Sequence, residues 1–316
     1  MVYLLLVVGL ILLVAGGEGF VRGSVAIAEK LGMSPLLIGL TLVGFGTSLP
    51  ELVTSVQAAL DGAPGIAVGN VVGSNIANIL LILGITALLY PIAVDKAVLR
   101  RDGSVLVLAS LAALTIVVIG TLGRMAGLIL VALLIAYLTH SYLSDRKAQA
   151  SASLASEVEA TGGKQPVLMS ILFVIGGLAL TVLGARLLVS SAVEIATALG
   201  VSETIIGLTV VAIGTSLPEL VTSVVAALRR HTDLALGNII GSNIFNVFSI
   251  LGITALIQPI PVPGEIIELD IWVMLGATAL LLAFSYTQRE IVRWEGCVLL
   301  ALYVAYIGWL GLGALG

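Results

Sequence analysis

One block of this sequence occurs twice, 168 residues apart and without a gap. Thr41 to Leu60 matches Thr209 to Leu228 at 16 of 20 positions, and Gly46 to Val56 returns unchanged as Gly214 to Val224. The register holds from Ile38 to Leu88. Gly69-Asn70-Val71-Val72-Gly73-Ser74-Asn75-Ile76-Ala77-Asn78 is answered by Gly237-Asn238-Ile239-Ile240-Gly241-Ser242-Asn243-Ile244-Phe245-Asn246. Any fold for this chain must therefore build the same local structure twice.

The medium of that structure is lipid. Of 316 residues, 59% are hydrophobic and 10% charged, against roughly 45–50% and about 25% in soluble domains. No soluble fold of this length hides so much apolar surface. Spans of about 20 apolar residues are expected at 2–21, 35–59, 66–90, 104–121, 125–143, 166–189, 204–228, 234–258, 269–286 and 294–314. The first is a retained span and not a signal peptide, since it lacks a basic start and a small-x-small cleavage site.

Five spans in each half is an odd number, so the second copy enters the membrane from the opposite side. The expected fold is an all-α polytopic membrane protein of ten transmembrane helices, built as two inverted five-helix repeats. Residues 1–143 form the first repeat and 166–316 the second, with 144–165 as a flexible cytosolic linker that could include a short surface helix over 148–160. With the N-terminus outside, twelve of the 14 Lys and Arg residues fall in inside loops, and only Arg124 and Arg186 fall outside. Under the positive-inside rule both termini are outside, and a cell (inner) membrane location is expected.

Inverted repeats in transporters place the substrate site at the membrane midplane between them. Each copy of the shared decapeptide puts a glutamate, Glu51 or Glu219, directly after a proline. Proline in a helix removes an amide donor and crowds the carbonyl four residues back, so Pro50 and Pro218 are expected to free backbone carbonyls at Gly46 and Thr47 and at Gly214 and Thr215. Ser48 and Ser216 stand three residues before each glutamate on the same helical face. Ser74 with Asn78, and Ser242 with Asn246, form i, i+4 pairs in the second motif. Carboxylates, hydroxyls and carbonyls are the ligands of a hard cation, and charged residues inside spans mark function.

A structural carboxylic acid, or an ion pair with arginine, is the competing explanation for the glutamates. No basic residue stands in the middle of a span except Arg186, near a membrane edge. Gly69, Gly73, Gly237 and Gly241 read as a close-packing seam. Asn70, Asn75, Asn238 and Asn243 either cap breaks and bond across helices or touch the ion. Thr54, Ser55, Thr222 and Ser223 are pathway or packing hydroxyls.

Two negative charges match one divalent cation. No Cys or His cluster suits zinc or copper; His140 and His231 fall at loop edges, and Cys297 is expected to be a packed core thiol. The net charge of −4 gives no reason to expect nucleic-acid binding, and no cofactor or obligate protein partner is expected. An intramembrane hydrolase lacks a Ser/His or metal-binding His arrangement. A passive cation channel has no need of inverted symmetry.

The two motifs, in two inverted copies, resemble the sodium/calcium exchangers of the calcium:cation antiporter superfamily in their compact prokaryotic form. The resemblance implies antiport of Ca2+ against Na+ by alternating access, with no enzymatic activity. It implies that Glu51 and Glu219 are shared ligands, that Thr47 and Thr215 give backbone carbonyls, and that Ser48, Ser74, Ser216 and Ser242 line flanking sodium sites. Asn78 and Asn246 match positions beside the central site. Some relatives carry Asp in place of Asn246, and its neutrality here argues against potassium co-transport. Proton-coupled cation exchange is the alternative.

Overall fold

The computed structural model describes residues 2–62, 64–155, 166–199, 212–287 and 289–313. The architecture is all-helical. In chain order the main helices are α1 (Val2–Leu31), α2 (Pro35–Thr47), α3 (Leu49–Leu60), α4 (Gly65–Leu89), α5 (Lys96–Ile119), α6 (Arg124–Ala155), α7 (Val167–Ala198), α8 (Leu217–Leu228), α9 (Thr232–Ile257), α10 (Asp270–Thr287) and α11 (Arg293–Gly313). Among the described residues, eight helices are long and apolar enough to cross a membrane, and the pair α2 and α3, bent by 42°, makes a ninth. The expected span at 204–228 is described only in part: α8 is a shorter apolar helix, and residues 200–211 lie outside the described part.

Helices α4 and α9 form the centre, with 78% and 89% of their apolar windows buried. Their neighbours approach through glycine. On α9, a Cβ at Gly237 or Gly241 would lie 2.6 Å from the carbonyl oxygens of Leu36 and Leu40 on α2. The close-packing expectation holds there. At Gly69 and Gly73 nothing described lies within 4 Å, and the sequence counterparts of Leu36 and Leu40, residues 204 and 208, lie outside the described residues.

The longest seam joins α1 to α7. Gly9, Gly16 and Gly23 recur every seven residues on α1 and meet α7 at Gly184, Gly177 and Ser170 in antiparallel order. A Cβ on Gly16 would lie 2.4 Å from Thr181 N, and one on Gly177 would lie 2.4 Å from Phe20 N. Without a hydrophobic driving force in lipid, such backbone approach is what holds helices together. Arg22 adds a cation–π contact, with Cζ 5.2 Å from the Phe173 ring centroid.

Four two-residue strands tie the loops: β1 (Ile92–Ala93) pairs with β4 (Glu290–Ile291), and β2 (Thr121–Leu122) pairs with β3 (Ile260–Pro261). The repeat offset carries β1 close to β3 and β2 close to β4. Exchanging the halves therefore exchanges the two pairings. The glycine contacts Gly84 to Gly296 and Gly127 to Gly252 exchange in the same way.

Three expectations change. Cys297 is exposed, because α11 turns Glu295, Gly296, Leu299 and Tyr303 inward and Cys297 falls off that face. His140 lies within α6 instead of at a loop edge, though exposed, whereas His231 stands at a loop edge as expected, half-buried just before α9. Residues 144–155, expected to be linker, continue α6; residues 156–165 lie outside the described part.

Gly177→Ala forces a Cβ into the backbone of α1, so it is expected to lower stability by about 1–3 kcal/mol. Gly176→Ala, which meets nothing within 4 Å, should not. Thermal unfolding of the purified protein in detergent separates the two.

Candidate ion-binding site

The site forms where α2 gives way to α3 and where α8 begins. Ser48 leaves helical geometry at φ −86°, ψ 4°, and Ser216 does so at φ −91°, ψ 6°. Pro50 and Pro218 stand in the first turn of the helices that follow. There a proline costs little, because the first-turn amides have no intrahelical partner. The break thus falls two residues before each proline, and each proline starts a new helix. Glu51 and Glu219 occupy the first turns of α3 and α8, at the positive end of each helix dipole, where a carboxylate is stabilised.

Both glutamates are buried, at 1% and 2% exposure. They are close enough to act on each other electrostatically. The Oε2 atom of each is buried without a hydrogen-bond partner among the described residues. Buried polar atoms are nearly always satisfied, so the two unsatisfied carboxylate oxygens, one from each half, mark this as the candidate cation site.

The donors cross between the repeats. Ser48 Oγ donates to Glu219 Oε1 at 3.2 Å, so the hydroxyl of the first motif serves the glutamate of the second. The Thr47 hydroxyl lies 3.0 Å from Val43 O and 3.2 Å from Asn238 Oδ1. Ser242 Oγ donates to Gly44 O at 3.4 Å. Asn246 Nδ2 donates to Asn75 Oδ1 at 2.9 Å, and Asn75 Nδ2 donates to Asn243 O at 3.3 Å. With those amides turned away, Asn78 Oδ1, Asn243 Oδ1 and Asn246 Oδ1 remain buried and unpartnered among the described residues.

Of the predicted site residues, Glu219, Thr47, Ser48, Ser242 and Asn246 make hydrogen bonds across the repeats, and Glu51 is buried beside them, its Oε2 without a partner among the described residues. Asn78 is buried in α4 with a free carbonyl oxygen. Ser74 and Ser216 are buried at 7% and 2% exposure. Thr215 is half-buried, and with Gly214, Pro218, Pro50, Thr54, Arg186 and Ser190 it lines a cavity of about 420 Å³. That cavity reaches both proline breaks from one side. Among the described residues no cluster of three or more His, Cys, Asp or Glu side chains could hold a metal; the ligand set is hard oxygen with two carboxylates.

One open alternative of the sequence reading is decided here, and a second feature escaped it. Asn70 and Asn238 act as brackets: Asn70 Nδ2 donates to Ser55 Oγ at 2.9 Å and to Glu51 O at 3.3 Å, and Asn238 Nδ2 to Ser223 Oγ at 2.8 Å and to Glu219 O at 3.4 Å. Bonding across helices was one of two possibilities for these amides, and it also explains Ser55 and Ser223. The second feature is π-helix, over Gly39–Val43, Ala77–Leu83 and Asn246–Leu251. Asn78 and Asn246 sit at or next to the α-to-π transitions. Such bulges concentrate at functional sites.

A family profile described as "Sodium/calcium exchanger protein" matches residues 1–143 and again 169–312. The chain is 41% identical over 303 residues to the "Putative antiporter CaxA" of Alkalimonas amylolytica, covering 95% of each chain. It is 37% identical over 342 residues to the "Sodium/calcium exchanger MaX1" of Methanosarcina acetivorans, covering 96% of this chain and 97% of that one. Its structure is similar to the sodium-calcium exchanger NCX_Mj soaked with Na+ and Sr2+, at a TM-score of 0.83 and 36% identity over 97% of both chains.

Asn238→Ala removes both bonds to α8 and the contact with the Thr47 hydroxyl, and leaves Glu219 O without its side-chain donor. A loss of about 1–3 kcal/mol of stability is expected, read from thermal unfolding in detergent. A change under a few tenths would show that the bracket carries no strain-bearing role.

Proposed function

The chain belongs to the sodium/calcium exchanger family, and on that premise we propose that it exchanges Ca2+ for Na+ across a cell membrane, by alternating access at one site shared between its two halves. It is a multi-span membrane protein of a transporter family, not of an enzyme class. The observation that carries the reading is the pair of buried glutamates, one from each half, each with an unpartnered Oε2. A Ca2+ ion between them neutralises both. Glu51 and Glu219 are the primary ligands, the backbone at Thr47 and Thr215 completes the central shell, and Ser48, Ser74, Ser216, Ser242, Asn78 and Asn246 supply flanking oxygens for Na+.

Coupling follows from charge. Occlusion of an empty site would bury two bare carboxylates, which is costly without a partner. Either ion species relieves that cost, and they compete for overlapping oxygens, so the halves change access only when loaded. Sodium acts as the counter-ion, and a proton gradient alone should drive little flux.

Ten spans in two inverted units, 1–143 and 166–316 joined by 144–165, with both termini outside, is the topology that fits this mechanism. The double match of the family profile supports the two units. Loop contacts fit the expected alternation of the loops between two sides. The inside loops expected to hold β1 and β4 pair with one another, as do the outside loops holding β2 and β3. Ser34 N donates to Asp145 at 3.0 Å between segments expected inside, and Arg124 donates to Leu256 O at 3.2 Å between segments expected outside.

In proteoliposomes with an outward sodium gradient, the wild-type protein should accumulate calcium-45, and Glu51→Gln or Glu219→Gln should reduce uptake to the protein-free background. Uptake driven equally by proton and sodium gradients would overturn the sodium coupling, and unimpaired uptake by Glu51→Gln would overturn the site.

A further inference from the structure

The two copies of the decapeptide are identical in sequence but not in surroundings. Thr222 is fully buried, whereas its counterpart Thr54 is exposed. Val221 packs against α1 at Gly17, where a Cβ would lie 2.5 Å from Val221 Cγ1. Its counterpart Val53 is 61% exposed. The surroundings differ: α1 packs on α8 at Gly17 on the side expected inside, whereas α7, with Ala185 at the matching position, is separated from α3 by the cavity that Val53, Thr54 and Ala185 line on the side expected outside.

An ion pair spans the closed side. Arg229, just past α8, donates through Nε to Glu18 Oε2 on α1 at 3.1 Å and through Nη2 to Oε1. The 168-residue offset carries Glu18 onto Arg186 and Arg229 onto Asp61. The open side therefore holds a complementary pair at the equivalent positions, with the signs reversed. It is not made. Asp61 accepts from Gln57 Nε2 at 2.9 and 3.0 Å, and Arg186 lines the outer cavity with no partner among the described residues. Gln57 is one of the four positions where the 20-residue blocks differ; its counterpart is Val225.

We propose that these are two alternating latches: Glu18–Arg229 closes the inner face in the outward-open state, and Arg186–Asp61 closes the outer face in the inward-open state. Each pair forms as the other breaks, so the latches set how the chain divides its time between the two states without touching the ion. Gln57 holds Asp61 in reserve while the outer face is open. The inference rests on the alternating-access reading above.

The test uses Val53→Cys and Val221→Cys as outer and inner reporters, each in a Cys297→Ser background, labelled by a membrane-impermeant maleimide from the matching side in sealed vesicles. In the otherwise unaltered chain Val53→Cys should label faster. Glu18→Gln should slow Val53→Cys and speed Val221→Cys by about two- to fivefold, the range an exposed ion pair can supply. Arg186→Gln should shift both the opposite way. The exchanged pair Glu18→Arg with Arg229→Glu should restore the parental rates, which separates a latch from a folding defect. Calcium-45 exchange is measured on the same vesicles. Exchange intact with labelling unmoved by Glu18→Gln, or moved in the same direction by Glu18→Gln and Arg186→Gln, overturns the latches alone. Absence of exchange in the reporter chains themselves overturns the functional reading on which they rest.

Discussion

Two buried carboxylates, one from each half, with no cationic side chain among the described residues to neutralise them, are the constraint that the rest of this structure serves. Like charges that share a low-dielectric site repel by several kcal/mol, and each also forfeits its hydration. The chain offsets part of that cost locally. Glu51 and Glu219 each begin a helix, so each sits at the positive end of a dipole. Ser48 donates to Glu219 across the repeat boundary, and the Asn70 and Asn238 brackets hold the glutamate backbones in place. What remains unsatisfied is one oxygen on each carboxylate. On the proposed function a cation completes the arrangement, and the need for one links ion binding to any movement that would seal the site.

The duplicated sequence makes the protein its own control. Where both copies meet the same partners, their geometry agrees: the two asparagine brackets match bond for bond, and Ser48 and Ser216 break their helices at nearly the same dihedral angles. Where the copies differ, the cause lies in what covers them. Thr54 is exposed and Thr222 buried, because α1 leans on α8 and α7 does not lean equally on α3. The glycine seam of α1 and α7 leaves no room for side chains between their backbones, which makes the pair a stiff unit set against a centre built from α4 and α9.

Much of this was legible in the residues. The repeat and the glutamate after proline follow from sequence, since each depends on order and composition alone. The partner of each glutamate did not. Ser48 and Glu51 share a helical face by spacing, yet Ser48 reaches Glu219, because tertiary packing brings the other half nearer. The π-helical stretches have no local signature in Ala77–Leu83 or Asn246–Leu251, which read as ordinary apolar helix. Cys297 was misplaced for a related reason: in lipid the outward face of a helix is as apolar as its inward face, so α11 carries little pattern to orient it. The helical extension over 144–155 was read as linker because its Ser- and Ala-rich composition suits either state.

Calcium titration calorimetry on the purified protein, in sodium-free and sodium-containing buffer, addresses the shared site most directly. The account predicts one calcium per chain, weakened by sodium, and lost equally in Glu51→Gln and Glu219→Gln, because neither carboxylate holds the ion without the other. Two independent calcium sites, or near-normal affinity in one of the two variants, would contradict it.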